Sequence, residues 1–289
     1  MFILEELGSG GGESAPVLIA AVLAFAGLAM ALLVMALGKY WVPERNHFFA
    51  RWGFTRLALV ALTYILAQIL VPVLWAAATG NSEFSLNENF MIMFLIFLGP
   101  GLLIIKTARE LDPDGIRCLG FRLPGSGRAY LFGIVAYALL VPGLLASMML
   151  WPAVLEAAGR EPETQEVMRK FFDLEGSALW IPVLFAVVIQ PFFEELLFRS
   201  FLQPLLVQNF RNMGGIGLTS LLFAAPHGLS AFGPVFVLSL IMGGVMQRTQ
   251  RFSSCYGIHM LHNGLTIWAI LTFSEVRELV DVGALFWFF

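Results

Sequence analysis

The chain has 289 residues, of which 58% are hydrophobic and only 13% are charged, and its formal net charge is −3. A soluble domain of this size needs about a quarter of its residues charged, so this composition excludes the ordinary soluble classes and indicates a membrane protein. Its two cysteines, Cys118 and Cys255, are too few and too far apart for a disulfide framework or a cysteine metal site.

The N-terminal segment does not resemble a cleaved signal peptide. It contains Glu5, Glu6 and Glu13 before the first apolar run, with no lysine or arginine. A signal peptide begins with a positively charged region, and its apolar region is shorter than the run found here. We therefore expect the first apolar segment to be retained as a membrane span.

The apolar segments of the chain could each cross a bilayer, which takes about 20 residues of helix. In chain order they are residues 15–38, 57–78, 90–105, 129–151, 178–198, 213–229, 232–247 and 256–273. The shorter segments are acceptable because a helix inside a bundle does not need the length that lipid contact demands. The sequence therefore predicts an all-α, polytopic integral membrane protein with about eight transmembrane helices.

The basic residues predict the orientation and the division of the chain. Lysine and arginine are concentrated in the loops after the first, third, fifth and seventh segments. The positive-inside rule places these loops in the cytoplasm and both termini outside. The loop at 111–127 separates an N-terminal part, residues 1–128, from a C-terminal part, residues 129–289. The outer loop at 152–176 predicts an interfacial helix, and we expect the aromatic tail at 283–289 to lie at the interface.

Acidic residues and histidines inside the predicted spans are confined to the C-terminal part. They belong to three motifs, which are Glu194-Glu195-x-x-x-Arg199, Phe223-x-x-x-His227 and His259-x-x-x-Asn263. A charge at the centre of a bilayer costs about 2.5 to 3.5 kcal/mol, so charges there indicate function. Glu195 and Arg199 share a helix face and predict an ion pair. Glu194 lies about 100° around the helix from Glu195 and needs a partner from another segment.

The residue types in these motifs are suited to hydrolysis. A carboxylate and a neutral imidazole held together can take a proton from water and make it a nucleophile. A second imidazole and an amide N–H can stabilise an oxyanion, with about 2.7 to 4 kcal/mol for each donor. Glu194, His227, His259 and Asn263 provide these four groups and predict cleavage of a peptide bond at the membrane. The hypothesis requires Glu194 within one water-bridged distance of His227 or His259.

The three motifs, in this order and each within a span, resemble those of the CAAX protease and bacteriocin-processing family. These Rce1-like, type II CAAX prenyl endopeptidases are intramembrane glutamic proteases, and the resemblance covers residues 178–273. It implies that Glu194 is the general base and that His227 shares the activation of water. It also implies that His259 and Asn263 form the oxyanion hole.

The resemblance has further implications for the rest of the site. Glu195 and Arg199 would hold the site together, with Phe223 in support, whereas His262 lies outside the family pattern and is assigned to packing or to support of the site residues. The site would need no metal and no cofactor. A conical cavity among the C-terminal helices would open towards the cytoplasm. The expected partners are a membrane-associated protein or peptide substrate and the lipid bilayer, without nucleic acid, in the plasma membrane of a bacterial or archaeal cell.

Other functions stay open at this point. Glu194, His227 and His259 could bind zinc, although the chain has no His-Glu-x-x-His motif. Buried glutamate and histidine could also relay protons in a transporter, or the protein could be a non-catalytic membrane protein that confers immunity. For Glu195 and Arg199 a purely structural ion pair is the simpler interpretation, and Arg199 could also reach Glu194.

Overall fold

The computed structural model of the protein describes residues 14–41, 49–122, 125–161 and 176–273, and these ranges contain helices but no β-strand. The helices are α1 (Ser14–Trp41), α2 (Phe54–Thr79), α3 (Leu86–Leu111), α4 (Ser126–Ala157), α5 (Trp180–Leu184), α6 (Gln190–Glu195), α7 (Gln203–Ala224), α8 (Leu229–Thr249) and α9 (Phe252–Thr272). Two π-helical stretches, π1 (Phe185–Ile189) and π2 (Leu196–Leu202), continue α5 and α6, and short 3₁₀ helices lie at Gly115–Leu119, Gly176–Leu179 and Ala225–His227. The predicted all-α class is confirmed.

Five helical segments of the described chain are long and apolar enough to cross a membrane: α2, α3, α4, the run Trp180–His227 and α8. This confirms an integral membrane protein, while the count of eight spans stays a prediction. α1 contributes a shorter apolar segment, Leu18–Val34. The helix α9 is not among the five because polar residues of the predicted site, including His259 and Asn263, interrupt its apolar sequence.

The run Trp180–His227 is not one straight helix. Arg211, inside α7, has φ 62° and ψ 172°, which is far from helical geometry. A Cβ atom added to Gly215 would overlap the backbone of Val207, although a straight helix would hold these two residues about 12 Å apart. The chain therefore reverses direction at Arg211, between the predicted fifth and sixth spans.

The C-terminal helices pack around α4 and α9. One cluster of buried side chains joins α4, α7, α8 and α9 and includes Phe132, Phe223, Leu238 and Ile258. At the crossing of α4 and α9, a Cβ atom on Gly133 would lie only 2.8 Å from the Ser254 carbonyl oxygen. The two helix backbones can approach this closely because glycine has no side chain.

Contacts also cross the predicted boundary between residues 128 and 129. Trp52 donates from Nε1 to the carbonyl of Phe201 in π2 at 3.0 Å. Gly120, with φ 90°, lies in the loop after α3 and accepts the backbone N–H of Phe252 at 3.2 Å. The loop is thereby attached to the start of α9. The division into two parts stays a prediction, and the described structure packs the parts against each other.

Two predictions for the outer face fall mainly on residues outside the described ranges. The predicted interfacial helix within 152–176 is described only at its ends, where residues up to Ala157 continue α4. The aromatic tail at 283–289 lies entirely outside the described residues.

Candidate active site

The short helix α6 carries both glutamates and lies between the π-helical stretches π1 and π2. A π-turn contains one residue more than an α-turn, and such turns occur frequently at functional sites. Pro191, at the second position of α6, lacks a backbone N–H and so removes one donor from the helix. The hydrogen bonding of the helix is therefore irregular on both sides of the glutamates.

Two carbonyl groups of π1 accept hydrogen bonds from side chains of α9. Asn263 donates from Nδ2 to the carbonyl of Ala186 at 2.8 Å. Tyr256 donates from its hydroxyl to the carbonyl of Val188 at 3.0 Å. A buried carbonyl needs such a partner when the helix does not provide one. These two bonds hold α9 against the segment that carries the glutamates.

The two carboxylate oxygens of Glu194 have different neighbours. The residue is buried, with 8% of its surface exposed. Oε1 accepts a hydrogen bond from Gln190 Nε2 at 2.8 Å. Oε2 lies 3.6 Å from His259 Nε2, which is too long for a direct hydrogen bond but short enough for a bridging water. The distance that the hydrolysis hypothesis requires is thus present between Glu194 and His259.

Glu195 lies in a continuous row of polar contacts that runs from α8 to α9. Arg199 Nε is 3.3 Å from Glu195 Oε2, so the ion pair predicted from their spacing is present, and both side chains are fully buried. Arg199 also donates from Nη2 to Ser239 Oγ at 2.7 Å. On the other side, His259 Nδ1 donates to Glu195 Oε1 at 3.0 Å. The row therefore orients the His259 ring so that Nε2 faces Glu194.

Phe223 is the central apolar contact of the site. Its ring centroid lies 5.1 Å from that of His227, 5.8 Å from that of His259 and 4.9 Å from the Arg199 guanidinium carbon. With 1% of its surface exposed, it fills the space between the three polar side chains. Phe223 therefore connects the second motif to the first and the third.

His227 is half-buried at the end of the 3₁₀ turn that follows α7. Its Nδ1 lies 2.8 Å from the Phe223 carbonyl oxygen. Because a carbonyl only accepts, Nδ1 carries the proton and Nε2 carries the lone pair of the neutral ring. His227 also interacts electrostatically with Glu194 and His259, so it belongs to the same polar region.

Asn263 and His262 lie one helical turn from His259 on α9. The amide of Asn263 has two N–H groups, of which one is directed at Ala186, and Oδ1 has no hydrogen-bond partner among the described residues. His262 Nδ1 lies 2.9 Å from the Tyr137 hydroxyl of α4. The histidine outside the family pattern thus connects α9 to α4.

Within the described ranges, no three side chains of histidine, cysteine, aspartate or glutamate are grouped so that they could hold a metal ion. Both cysteines are buried free thiols. His259 lies between Glu194 and Glu195, but its Nδ1 is already hydrogen-bonded to a carboxylate.

Several contacts of the site were not identified from the sequence. Gln190 binds Glu194, Ser239 binds Arg199, Tyr256 binds π1 and Tyr137 binds His262. Gln190 could have been found, because it lies four residues before Glu194 on the same helical face. The other three come from distant segments, and no spacing in the sequence indicates them.

One comparison with known proteins found a family that matches part of the chain. Residues 176–265 match the family model described as type II CAAX prenyl endopeptidase Rce1-like. This range contains all three motifs and confirms the resemblance inferred from them. No curated protein and no solved structure matches the chain. The family that matches this part of the chain is one of CAAX proteases, which are membrane endopeptidases.

Proposed function

We propose that this protein hydrolyses a peptide bond of a membrane-associated substrate with water activated by Glu194 and His227, without a metal ion. The observation that carries the proposal is the pair of distances around His259, 3.6 Å to Glu194 and 3.0 Å to Glu195. A carboxylate within a membrane span is costly, and a structural ion pair accounts only for Glu195. Glu194 faces an imidazole that is held in place, which is an arrangement suited to catalysis.

In the first step Glu194 acts as the general base. A water molecule between Glu194 and His227 transfers one proton to the Glu194 carboxylate while its oxygen attacks the carbonyl carbon of the substrate. His227 can accept a hydrogen bond from this water at Nε2, because its Nδ1–H is directed at the Phe223 carbonyl. The carbonyl oxygen becomes an oxyanion.

His259 and Asn263 stabilise this oxyanion. They are one turn apart on α9, and the Ala186 carbonyl accepts only one of the two N–H groups of Asn263. The second N–H remains for the oxyanion. His259 donates from Nε2 when that nitrogen is protonated, since Nδ1–H is directed at Glu195. Each such donor contributes roughly a factor of 100 to 1,000 in rate.

In the second step the tetrahedral intermediate collapses. The carbon–nitrogen bond breaks, and the leaving nitrogen takes the proton that Glu194 received from water. The products are a peptide with a new carboxyl group and a peptide with a new amine. Glu194 is then again ionised and ready for the next water molecule.

The name of the matching family supports a substrate class. A CAAX prenyl endopeptidase acts on chains whose cysteine, four residues from the C-terminus, carries an isoprenoid. We propose that the substrate reaches Glu194 from the cytoplasmic side through a cavity between the C-terminal helices. The plasma membrane of a bacterial or archaeal cell is the expected location.

Two internally quenched peptides of identical sequence test the proposal, one with a farnesylated cysteine four residues from its C-terminus and one without the lipid. The wild-type protein in liposomes should cleave the farnesylated peptide, and Glu194→Ala should cleave neither. A comparison of membrane-protein termini in cells that express either form identifies natural products. The proposal would be refuted if the wild type and Glu194→Ala gave the same membrane-protein termini and cleaved the farnesylated peptide at the same rate.

Chelation distinguishes this mechanism from a zinc protease. The wild-type protein should keep its full cleavage rate after exhaustive dialysis against a strong chelator, and elemental analysis should find no stoichiometric metal. A loss of activity that added zinc restores would instead support the metalloprotease alternative.

A further inference from the structure

We propose that Gln190 is a positioning residue that fixes the carboxylate of Glu194 and thereby determines how well it activates water. The inference rests on the proposed function of Glu194. Gln190 is itself buried, with 9% of its surface exposed, and its Nε2 lies 2.8 Å from Glu194 Oε1. A contact of this length between an amide donor and a carboxylate is a strong hydrogen bond.

The switch between π-helix and α-helix places this contact. π1 ends at Ile189, and the regular α-helical segment α6 begins at Gln190 and ends at Glu195. Side chains four residues apart are neighbours on an α-helix, so Gln190 lies directly beneath Glu194.

The hydrogen bond between Gln190 and Glu194 can form in only one direction. An ionised carboxylate accepts hydrogen bonds and cannot donate them, so the Gln190 amide must present its nitrogen to Glu194. With Oε1 occupied in this way, Oε2 is the oxygen that faces His259 Nε2 at 3.6 Å. Gln190 therefore selects which carboxylate oxygen is available to water.

The two adjacent glutamates are held by different chemistry. Glu195 is bound by the positive charge of Arg199, whereas Glu194 is bound by a neutral amide. A guanidinium bound directly to Glu194, as Arg199 is to Glu195, would make the Glu194 carboxylate a weaker base. A neutral donor orients the carboxylate and leaves that charge in place, which is what a general base requires.

Other elements also present titratable groups towards Glu194. His259 comes from α9, His227 follows α7, and Tyr64 of α2 interacts with Glu194 electrostatically. Each of these side chains carries an ionisable group. The Gln190 amide stays neutral at every pH, so its hydrogen bond orients Glu194 independently of the protonation of the surrounding groups.

Infrared difference spectroscopy tests the contact without a substrate. The infrared spectrum of the purified protein with ¹³C-labelled glutamate is compared with the spectrum of the Glu194→Gln variant. The difference between the two spectra gives the carboxyl band of Glu194. The same difference is then measured between Gln190→Leu and the double variant Gln190→Leu/Glu194→Gln. Leucine has nearly the volume of glutamine but no donor, so the Glu194 band should change position.

Gln203→Leu is the matched control. Gln203 is fully buried and donates from Nε2 to the Gly243 carbonyl at 2.9 Å, away from Glu194. This variant should leave the Glu194 band at the wild-type position. An unchanged band in Gln190→Leu would overturn the inference, and so would an equal change in Gln203→Leu.

Cleavage of the farnesylated peptide provides the second measurement. We expect Gln190→Leu to lower kcat by about 10- to 100-fold with KM nearly unchanged, because the lost bond to a charged group affects the base and not the binding of the peptide. If Glu194→Gln cleaves as fast as the wild type, the proposed function fails. If Glu194→Gln is inactive and Gln190→Leu has the wild-type kcat, only the role of Gln190 fails.

Discussion

α2 in the N-terminal part and α8 in the C-terminal part are both apolar enough to cross a membrane, but their surroundings differ. Only 6% of the most apolar window of α2 is buried inside the protein, whereas 50% of the corresponding window of α8 is buried. Helices of similar hydropathy are thus exposed at the surface of the protein in one region and packed among other helices in the other. Apolar composition shows that a helix can enter a membrane, and it does not show whether the helix belongs to the centre of the protein.

The buried polar side chains distinguish the two regions more clearly. Among the described residues, Thr107 is the only buried polar or charged residue that precedes Gln190 in the chain. From Gln190 onward they are numerous, and they include Glu194, Glu195, Arg199 and His259. This concentration of buried polar groups supports the proposal that the chemistry takes place in the C-terminal part.

The largest expected effect comes from removal of the base. Glu194→Gln keeps the size of the side chain but removes its charge, and general bases contribute roughly 100- to 10,000-fold. We expect cleavage of the farnesylated peptide to fall by about that factor. Glu83→Gln, on the exposed connection between α2 and α3, makes the same chemical change in the other region. Its rate should equal that of the wild type, and an equal loss in both variants would contradict the comparison.

A smaller loss is expected from the proposed oxyanion hole. Asn263→Leu removes the amide donors, and kcat/KM should fall by roughly 100- to 1,000-fold. Tyr256→Phe is the control, because it also removes a bond from α9 to π1 but no proposed oxyanion donor. It should change kcat/KM by less than about tenfold. Similar losses of kcat/KM in both variants would mean that Asn263 only attaches α9 to π1.

The ion pairs give a comparison of stability between the regions. Arg199→Leu leaves Glu195 buried without its cation, and breaking a buried pair costs about 3 to 5 kcal/mol. Arg56→Leu breaks the pair with Glu110, whose side chains are 35% and 41% exposed, and should cost about 0 to 1 kcal/mol. The loss of stability in each variant is measured by unfolding the protein in mixed micelles with an increasing fraction of denaturing detergent. Equal unfolding midpoints for the two variants would show that the pair of Arg199 and Glu195 is hydrated.

The smallest expected effect concerns Cys118, in the loop after α3 that joins the two regions. Burial, followed by the charge of Asp112, raises the pKa of the Cys118 thiol from its ordinary value of 9.0 to about 12. At pH 8 only about one thiol in ten thousand is then ionised, since the thiolate fraction falls tenfold for each pH unit below the pKa. A maleimide reagent should label wild-type protein very slowly, because the thiolate is the reactive form.

Ser82→Cys provides the labelling control, because Ser82 is exposed between α2 and α3. The added thiol should react within minutes at pH 8. Rapid labelling of Cys118 in the wild type would show that the loop leaves its packed position against α9.

The prediction of the site from the sequence depended on spacing. The separation of four residues between Glu195 and Arg199 indicated the ion pair correctly, because the geometry of an α-helix is local. The same rule applied to Gln190 and Glu194 would have revealed the positioning contact. Ser239 could not be identified, since a single serine in an apolar span has no periodicity, and its partner Arg199 lies on another helix.

The prediction of the fold was limited in the same way. The apolar segments indicated the helices, but the break within Trp180–His227 comes from the backbone geometry of Arg211 and the close approach of Gly215 to Val207. The π-helical stretches around α6 were not predicted either, because tertiary contacts with α9 and Trp52 bind their carbonyl groups.

The sequence by itself determined that the protein is helical, enters a membrane and carries its ionisable groups in the C-terminal spans, because hydropathy and helical spacing are local properties. The tertiary structure decided which groups meet. It brought His259 between Glu194 and Glu195, and it brought Phe223 against both histidines and Arg199. These contacts join helices that are distant in the chain, and the packing of whole helices against one another fixes them.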